Sequence, residues 1–190
     1  MKVREPIYAA PVQPGDFACV PIGGEVGTLV EIGQWLAGQK FQKYEHAEIY
    51  VGLADAYGPH GYTISAYPGG HGKQPLPCPP EQLPGSLWSS GLIPLTDAQR
   101  KAIVNWAVAH KNVRYSAADY FALAAARLKL NLILPPLRRF IAAKGHLICS
   151  QFVTLDYLDA AGVNLLGGLW DGLDDPMQLA EMLEAKLAER

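Results

Sequence analysis

The chain has 190 residues, 49% of them hydrophobic, a formal net charge of −2 and three cysteines. That length and apolar content suit a single soluble domain over residues 1–190, with its core within about 14–183. Few Lys and Arg and no basic stretch exclude a charge-built nucleic-acid surface, and an odd cysteine count without CxxC spacing argues against a disulfide framework or zinc site.

Pro14-Gly15-Asp16 forms a turn into a short buried strand, Phe17-Ala18-Cys19-Val20, which Pro21 ends. Residues 26–36 read as a short helix with Leu29, Val30, Ile32 and Leu36 on one side and Gly38 as its stop. The run from His46 to Val51 is the first strong strand. Its alternation places Ala47, Ile49 and Val51 on one face and His46, Glu48 and Tyr50 on the other. Residues 62–67 form its expected hairpin partner. The proline-rich stretch 73–90 reads as irregular, and Leu92-Ile93-Pro94-Leu95 as a further strand.

Thr96-Asp97-Ala98-Gln99 is a capping box. The helix it opens runs to about His110 and can bury Ile103, Trp106 and Ala107. A further helix is expected over 117–129, followed by an unusually apolar, proline-broken stretch at 130–137. Residues 147–161 form a helix with its lead-in, ended by Gly162. Asp175 caps a last helix whose first residue is Pro176 and whose apolar side is Met177, Leu179, Ala180, Leu183 and Leu187. Strands first and helices later predict an α+β fold, a small antiparallel sheet packed against helices.

No run reaches the roughly 18 apolar residues of a membrane span. With no continuous apolar leader after Met1, the expected location is cytoplasmic, although export or incorporation into a larger particle stays open.

Chemistry concentrates at Ile148-Cys149-Ser150, about a hundred residues after the His46 strand. A cysteine opening a helix sits where backbone N–H groups and the helix dipole favour its thiolate. Its own N–H is placed to help form an oxyanion hole, beside a polar first turn of Ser150 and Gln151. Cys19, in a strand, and Cys78, between prolines, read as structural. His46 is the expected base because it starts a rigid strand, whereas His60 and His71 lie in loops, His110 near a helix end and His146 three residues before the cysteine.

Two residues compete to orient the imidazole. Ser65 lies on the presumed partner strand. Glu48 shares the face of His46, two residues along, which at strand rise separates the side chains by roughly 6–7 Å. Tyr50, Tyr67, Ser150 and Gln151 are the expected substrate-contacting residues. No cofactor or metal is expected.

Pro14-Gly15-Asp16 before an apolar strand, His46-Ala47-Glu48-Ile49-Tyr50-Val51-Gly52, Ser65-Ala66-Tyr67-Pro68-Gly69-Gly70 and Ile148-Cys149-Ser150-Gln151-Phe152-Val153 follow in a set order. Together they resemble the circularly permuted branch of the NlpC-type papain-like superfamily, which includes YiiX-like hydrolases and, more distantly, the lecithin–retinol acyltransferase family. Tyr115-Ser116-Ala117-Ala118-Asp119-Tyr120 is similar to the linker helix of YiiX-like proteins. The resemblance implies a permuted papain-like fold, Cys149 as nucleophile and His46 as base. It aligns Ser65 with the family's third polar residue, where Glu or His is usual.

The function so implied is a cysteine hydrolase of the peptidase or amidase kind, cleaving an amide, ester or thioester through an acyl-enzyme. Its substrate would be a small molecule, a peptide or a lipid-like acyl donor. One alternative is acyl transfer to a lipid or amine, with Leu130–Leu137 and Arg138-Arg139-Phe140 in peripheral contact with a membrane. Another is a non-catalytic binding or structural module, for example in a phage particle.

Overall fold

A computed structural model describes residues 4–21, 44–67, 72–115, 146–167 and 176–190. In chain order these form β1 (Phe17–Val20), β2 (His46–Gly52), β3 (Tyr62–Ile64), β4 (Lys73–Pro75), a 3₁₀ turn (Pro80–Gln82) and β5 (Leu87–Trp88). Then follow α1 (Asp97–Ala109), β6 (Arg114–Tyr115), β7 (His146–Leu147), α2 (Cys149–Ala161) and α3 (Pro176–Ala188). The expected helices at 26–36 and 117–129, the apolar stretch 130–137, His71 and Asp175 lie outside the described residues.

The fold is α+β. Five strands form one sheet in the order β4-β3-β2-β1-β5, antiparallel at every pairing. Phe17 stands opposite Ile49 and Val20 opposite His46, so β1 ends where β2 begins. A second, two-stranded sheet pairs β6 with β7 in parallel and brings Arg114 beside His146 in the chain. This places the residue pair just before α2 against the one that follows α1.

Alternation in β1 and β2 divides the sheet into two unlike faces. Phe17, Cys19, Ala47, Ile49 and Val51 join one core cluster with Ile103 and Ala107 of α1, Phe152, Val153 and Tyr157 of α2, and Leu179 and Leu183 of α3. Ala18, Val20 and Trp88 form a smaller cluster with Val12 on the opposite side, where Tyr50 also packs. Fully burying a side chain of this size contributes about 1.5–3 kcal/mol, so the helix-covered face is what holds the sheet and helices together.

The helix ends follow from local chemistry. Thr96 Oγ1 accepts from Gln99 N (3.3 Å) and Gln99 Oε1 accepts from Thr96 N (3.0 Å), the reciprocal box that the sequence predicts. Gln99 also donates through Nε2 to the carbonyl of Ala161 (3.0 Å), fastening the start of α1 to the end of α2. Gly162 then stops α2 in the left-handed region, at φ 66°.

Pro14-Gly15-Asp16 is a junction rather than a plain turn. Gly15 N donates to Tyr50 O (2.8 Å), and Tyr50 N donates to Asp16 O (2.8 Å). Gly15 O accepts from the Tyr157 hydroxyl of α2 (2.6 Å). Its φ of +92° and the 3.1 Å from an ideal Cβ to Arg100 Cα leave no room for a side chain. Asp16 accepts from Gln13 N (2.8 Å) and pairs with Arg100 Nη1 (2.8 Å).

Burial raises the proton affinity of Asp16, while Gln13 N–H and Arg100 oppose that shift. Arg100→Met keeps the aliphatic stem but strands the buried carboxylate. We expect a loss of about 3 kcal/mol, read as a lower urea midpoint at unchanged slope. The deficit should shrink on acidification, as the carboxyl takes up its proton.

Four expectations need correction. Leu92-Ile93-Pro94-Leu95 is not a strand, because Leu92 N and Ile93 N both donate to Ser89 O (2.9 and 3.1 Å) in a turn, although Leu92 and Ile93 are still buried. The stretch 73–90 is less irregular than expected, since it supplies β4 and β5. The hairpin partner is shorter than 62–67: β3 stops at Ile64, and Ser65 N turns to Gly72 O (2.9 Å). Trp106 is only partly buried, stacked on His110 at 3.9 Å and edge-on to Phe152 at 5.4 Å. No helix among the described residues is long and apolar enough to cross a membrane.

Candidate active site

Cys149 is the first residue of α2 and is fully buried. Ile148 occupies the N-cap and has no side-chain acceptor to offer, so Gln151 supplies the cap instead, its Oε1 accepting from Ile148 N (2.9 Å). Gln151 and Ser150 are themselves buried. The carbonyl end of the Gln151 amide is thus engaged in holding the first turn rather than turned towards a substrate. Behind the cysteine, Phe152, Val153 and Tyr157 anchor the helix in the main core.

His46 opens β2 opposite Val20 and is 3% exposed. Among the described residues, its Nε2 has no hydrogen-bond partner. Burial alone lowers its pKa to about 3, which keeps the imidazole neutral. Its ring lies 4.4 Å from that of Tyr67, tilted by 46°.

Glu48 stands on the same strand and is likewise buried. Its Oε2 accepts from the Tyr67 hydroxyl (2.6 Å) and from Thr63 Oγ1 (3.1 Å), and lies 4.0 Å from His46 Nε2. Burial raises its proton affinity against the pull of those two hydroxyls. Both partners are therefore driven towards their neutral forms, and the pair is not a ground-state ion pair. The tips of His46 and Glu48 come closer than strand rise suggests. Rise fixes the separation of the backbones, whereas a long carboxylate side chain can lean.

Ser65 donates its hydroxyl hydrogen to Ala47 O (2.6 Å), so that proton is spent on the backbone of β2. The Tyr50 hydroxyl donates to His60 O (3.2 Å), and its ring stands edge-on to Trp88 at 6.2 Å.

Cys149 and His46 are carried by different layers. Tyr67 links the two groups: it packs on His46, bonds Glu48, and has its ionisation opposed first by burial and then by charge on Glu48 and on Cys149. Cys19, one residue from the end of β1, also feels Cys149. The candidate nucleophile therefore stands near the end of the sheet where β1 finishes and His46 begins.

Sequence reasoning missed Thr63, and it assigned Tyr67 to substrate alone. The signal was available in the pairing of Tyr50 with Thr63 and Ile49 with Ile64, which sets Thr63, Ser65 and Tyr67 alongside Tyr50, Glu48 and His46. Among the described residues, no three His, Cys, Asp or Glu side chains are grouped to hold a metal ion. Comparison with models of known families, with curated proteins and with solved structures finds no match.

Proposed function

We propose that the protein is a cysteine hydrolase of permuted papain-like fold that cleaves an amide, ester or thioester through an acyl-enzyme on Cys149. The observation that carries this reading is a helix-initial cysteine within electrostatic reach of a cluster that contains a buried, neutral histidine whose Nε2 has no bonding partner among the described residues. Further support comes from the α+β architecture and from the motif order, His strand before Cys helix, that a permuted papain-like chain would have.

In the reaction, the Cys149 thiol passes its proton to His46 as sulfur attacks the carbonyl carbon. The tetrahedral intermediate collapses, and the leaving group departs with that proton. Water, deprotonated by His46, then attacks the thioester, and the thiol regains its proton from the imidazolium. Because burial disfavours imidazolium, the ground state is thiol plus imidazole, and charge separates only during attack.

Covalent trapping tests this directly. The full chain is mixed with a p-nitrophenyl ester, an aminoacyl p-nitroanilide and an acyl thioester, quenched in acid and analysed by intact mass and peptide mapping. We expect an acyl adduct on Cys149 with at least one donor, absent from Cys149→Ser. An adduct confined to Cys78, or none from any donor, would reject the hydrolase in favour of a binding module.

A further inference from the structure

A groove of about 430 Å³ lies between the Gln13-Pro14 turn and the start of α1, lined by Gln13, Pro14, Asp97, Arg100, Lys101 and Val104. The four helical residues are spaced i, i+3, i+4 and i+7, so one face of α1 forms a whole wall. The groove is not the candidate active site. Pro14 meets the far end of β2, where its Cγ is 3.1 Å from an ideal Cβ on Gly52, whereas His46 opens that strand. Six steps of strand rise put about 20 Å between those ends.

The wall carries one free charge of each sign. Arg100 is committed, its Nη1 donating to Asp16 Oδ1 (2.8 Å) and to Pro14 O (3.4 Å), and the buried Asp16 balances its charge. Asp97 and Lys101 are exposed. They stand one helical turn apart, with Cβ atoms about 5–6 Å from each other, yet among the described residues they form no ion pair. Pro14 and the partly buried Val104 supply the apolar surface.

A wall with balanced charges suits a ligand that carries both signs. The ends of an extended dipeptide are roughly 7 Å apart at 3.3–3.6 Å per residue, which two side chains on neighbouring turns can span. We propose that this groove binds a short apolar peptide by its two ends: Asp97 receives the α-ammonium, Lys101 the α-carboxylate, and Pro14 and Val104 an apolar side chain. The full charge of Asp97 outweighs the opposing half-charge of the helix N-terminus. The wall is tied to the rest of the fold by the Arg100–Asp16 pair and by Tyr157 on Gly15 O. A ligand that grips it therefore stabilises the folded chain.

The test is thermal unfolding at pH 7 with leucyl-leucine, its N-acetyl form, its C-terminal amide and diglycine, in the wild type and in Cys149→Ala, which cannot consume the ligand through that thiol. Free leucyl-leucine should raise Tm along a saturable curve in both chains, and diglycine should bind more weakly. Each cap should weaken binding by about two- to fivefold, the worth of an exposed ion pair. Asp97→Asn should abolish the penalty of acetylation and Lys101→Gln that of amidation, while each leaves the other penalty in place.

No saturable shift with leucyl-leucine would overturn the proposal, as would a shift that either cap leaves unchanged or cap penalties that survive in the matching variant. A shift lost in Cys149→Ala would place the ligand at the cysteine and overturn it too. The hydrolase reading stands or falls separately: a shift kept in both chains, with no acyl adduct in the trapping assay, supports this site and rejects the hydrolase.

Discussion

Cys149→Ala should reduce turnover of any accepted acyl donor to the uncatalysed level, and His46→Ala should lower it by about a thousandfold or more. The two losses should not add, because nucleophile and base act as one unit, and the double variant should be no slower than Cys149→Ala alone. The pH profile carries a further signature. The base is competent only while neutral, and burial holds His46 neutral down to about pH 3. The rate should therefore show no acid limb near 6.5, the ordinary histidine range, and should persist as pH falls from 7 towards 4. Steady-state kinetics of the three variants over that interval checks both points. Full activity in either single variant would remove the proposed mechanism.

Asp156→Asn should stabilise the protein at neutral and alkaline pH. Asp156 lies on α2 seven residues beyond Cys149. It is fully buried, and neither carboxyl oxygen has a hydrogen-bond partner among the described residues. Burial, with the charge of Asp159 adding to it, pushes its pKa from 3.8 to about 9. Between those values the folded chain holds a proton that the unfolded chain has released. Stability from this group is thus present at low pH and is lost as pH rises, by about 1.4 kcal/mol per unit, on the order of 4 kcal/mol by pH 7.

His46 has the opposite sign. Its folded pKa is depressed, so its contribution is lost as pH falls from 6.5 towards 3. Where the two windows overlap, between about 4 and 6.5, their slopes cancel. For these two groups stability is flat there and declines on either side. Asparagine keeps the shape of Asp156 and removes the charge, although part of the cost of an unbonded polar group remains. Urea unfolding at pH 5, 7 and 8.5 should show the variant gaining most at 8.5. Parallel curves for variant and wild type would refute the assignment.

What the sequence made legible was local. The Thr96–Gln99 box depends on four consecutive residues, and α1 begins where it predicts. The His46 strand shows in alternation, and α2 starts at Cys149 and stops at Gly162 because its first turn and terminal glycine are written in place. What escaped was non-local. β5 is two residues long, and it exists because Leu87 and Trp88 pair with Cys19 and Ala18, about seventy positions earlier. The apolar run after it resembles a strand, yet a single carbonyl at Ser89 gathers its N–H groups into a turn.

The site divides along the same line. Cys149 and His46 could be nominated from their neighbours. The surroundings of Ser65 and Glu48 were not legible, because each depends on a partner the fold supplies: a backbone carbonyl for Ser65, and Tyr67 and Thr63 for Glu48.

The three thiols differ in access as well as in setting. Cys19 and Cys149 are buried, while Cys78 is partly exposed. A dissolved oxidant or alkylating agent therefore meets Cys78 first, in a loop between prolines. Cys19 and Cys149, both buried, come after it. Burial therefore slows oxidation of Cys19 and Cys149 relative to Cys78. Folding stability here acts as a storage condition, and a weakened core would open the two buried thiols to irreversible damage before it cost the protein its shape.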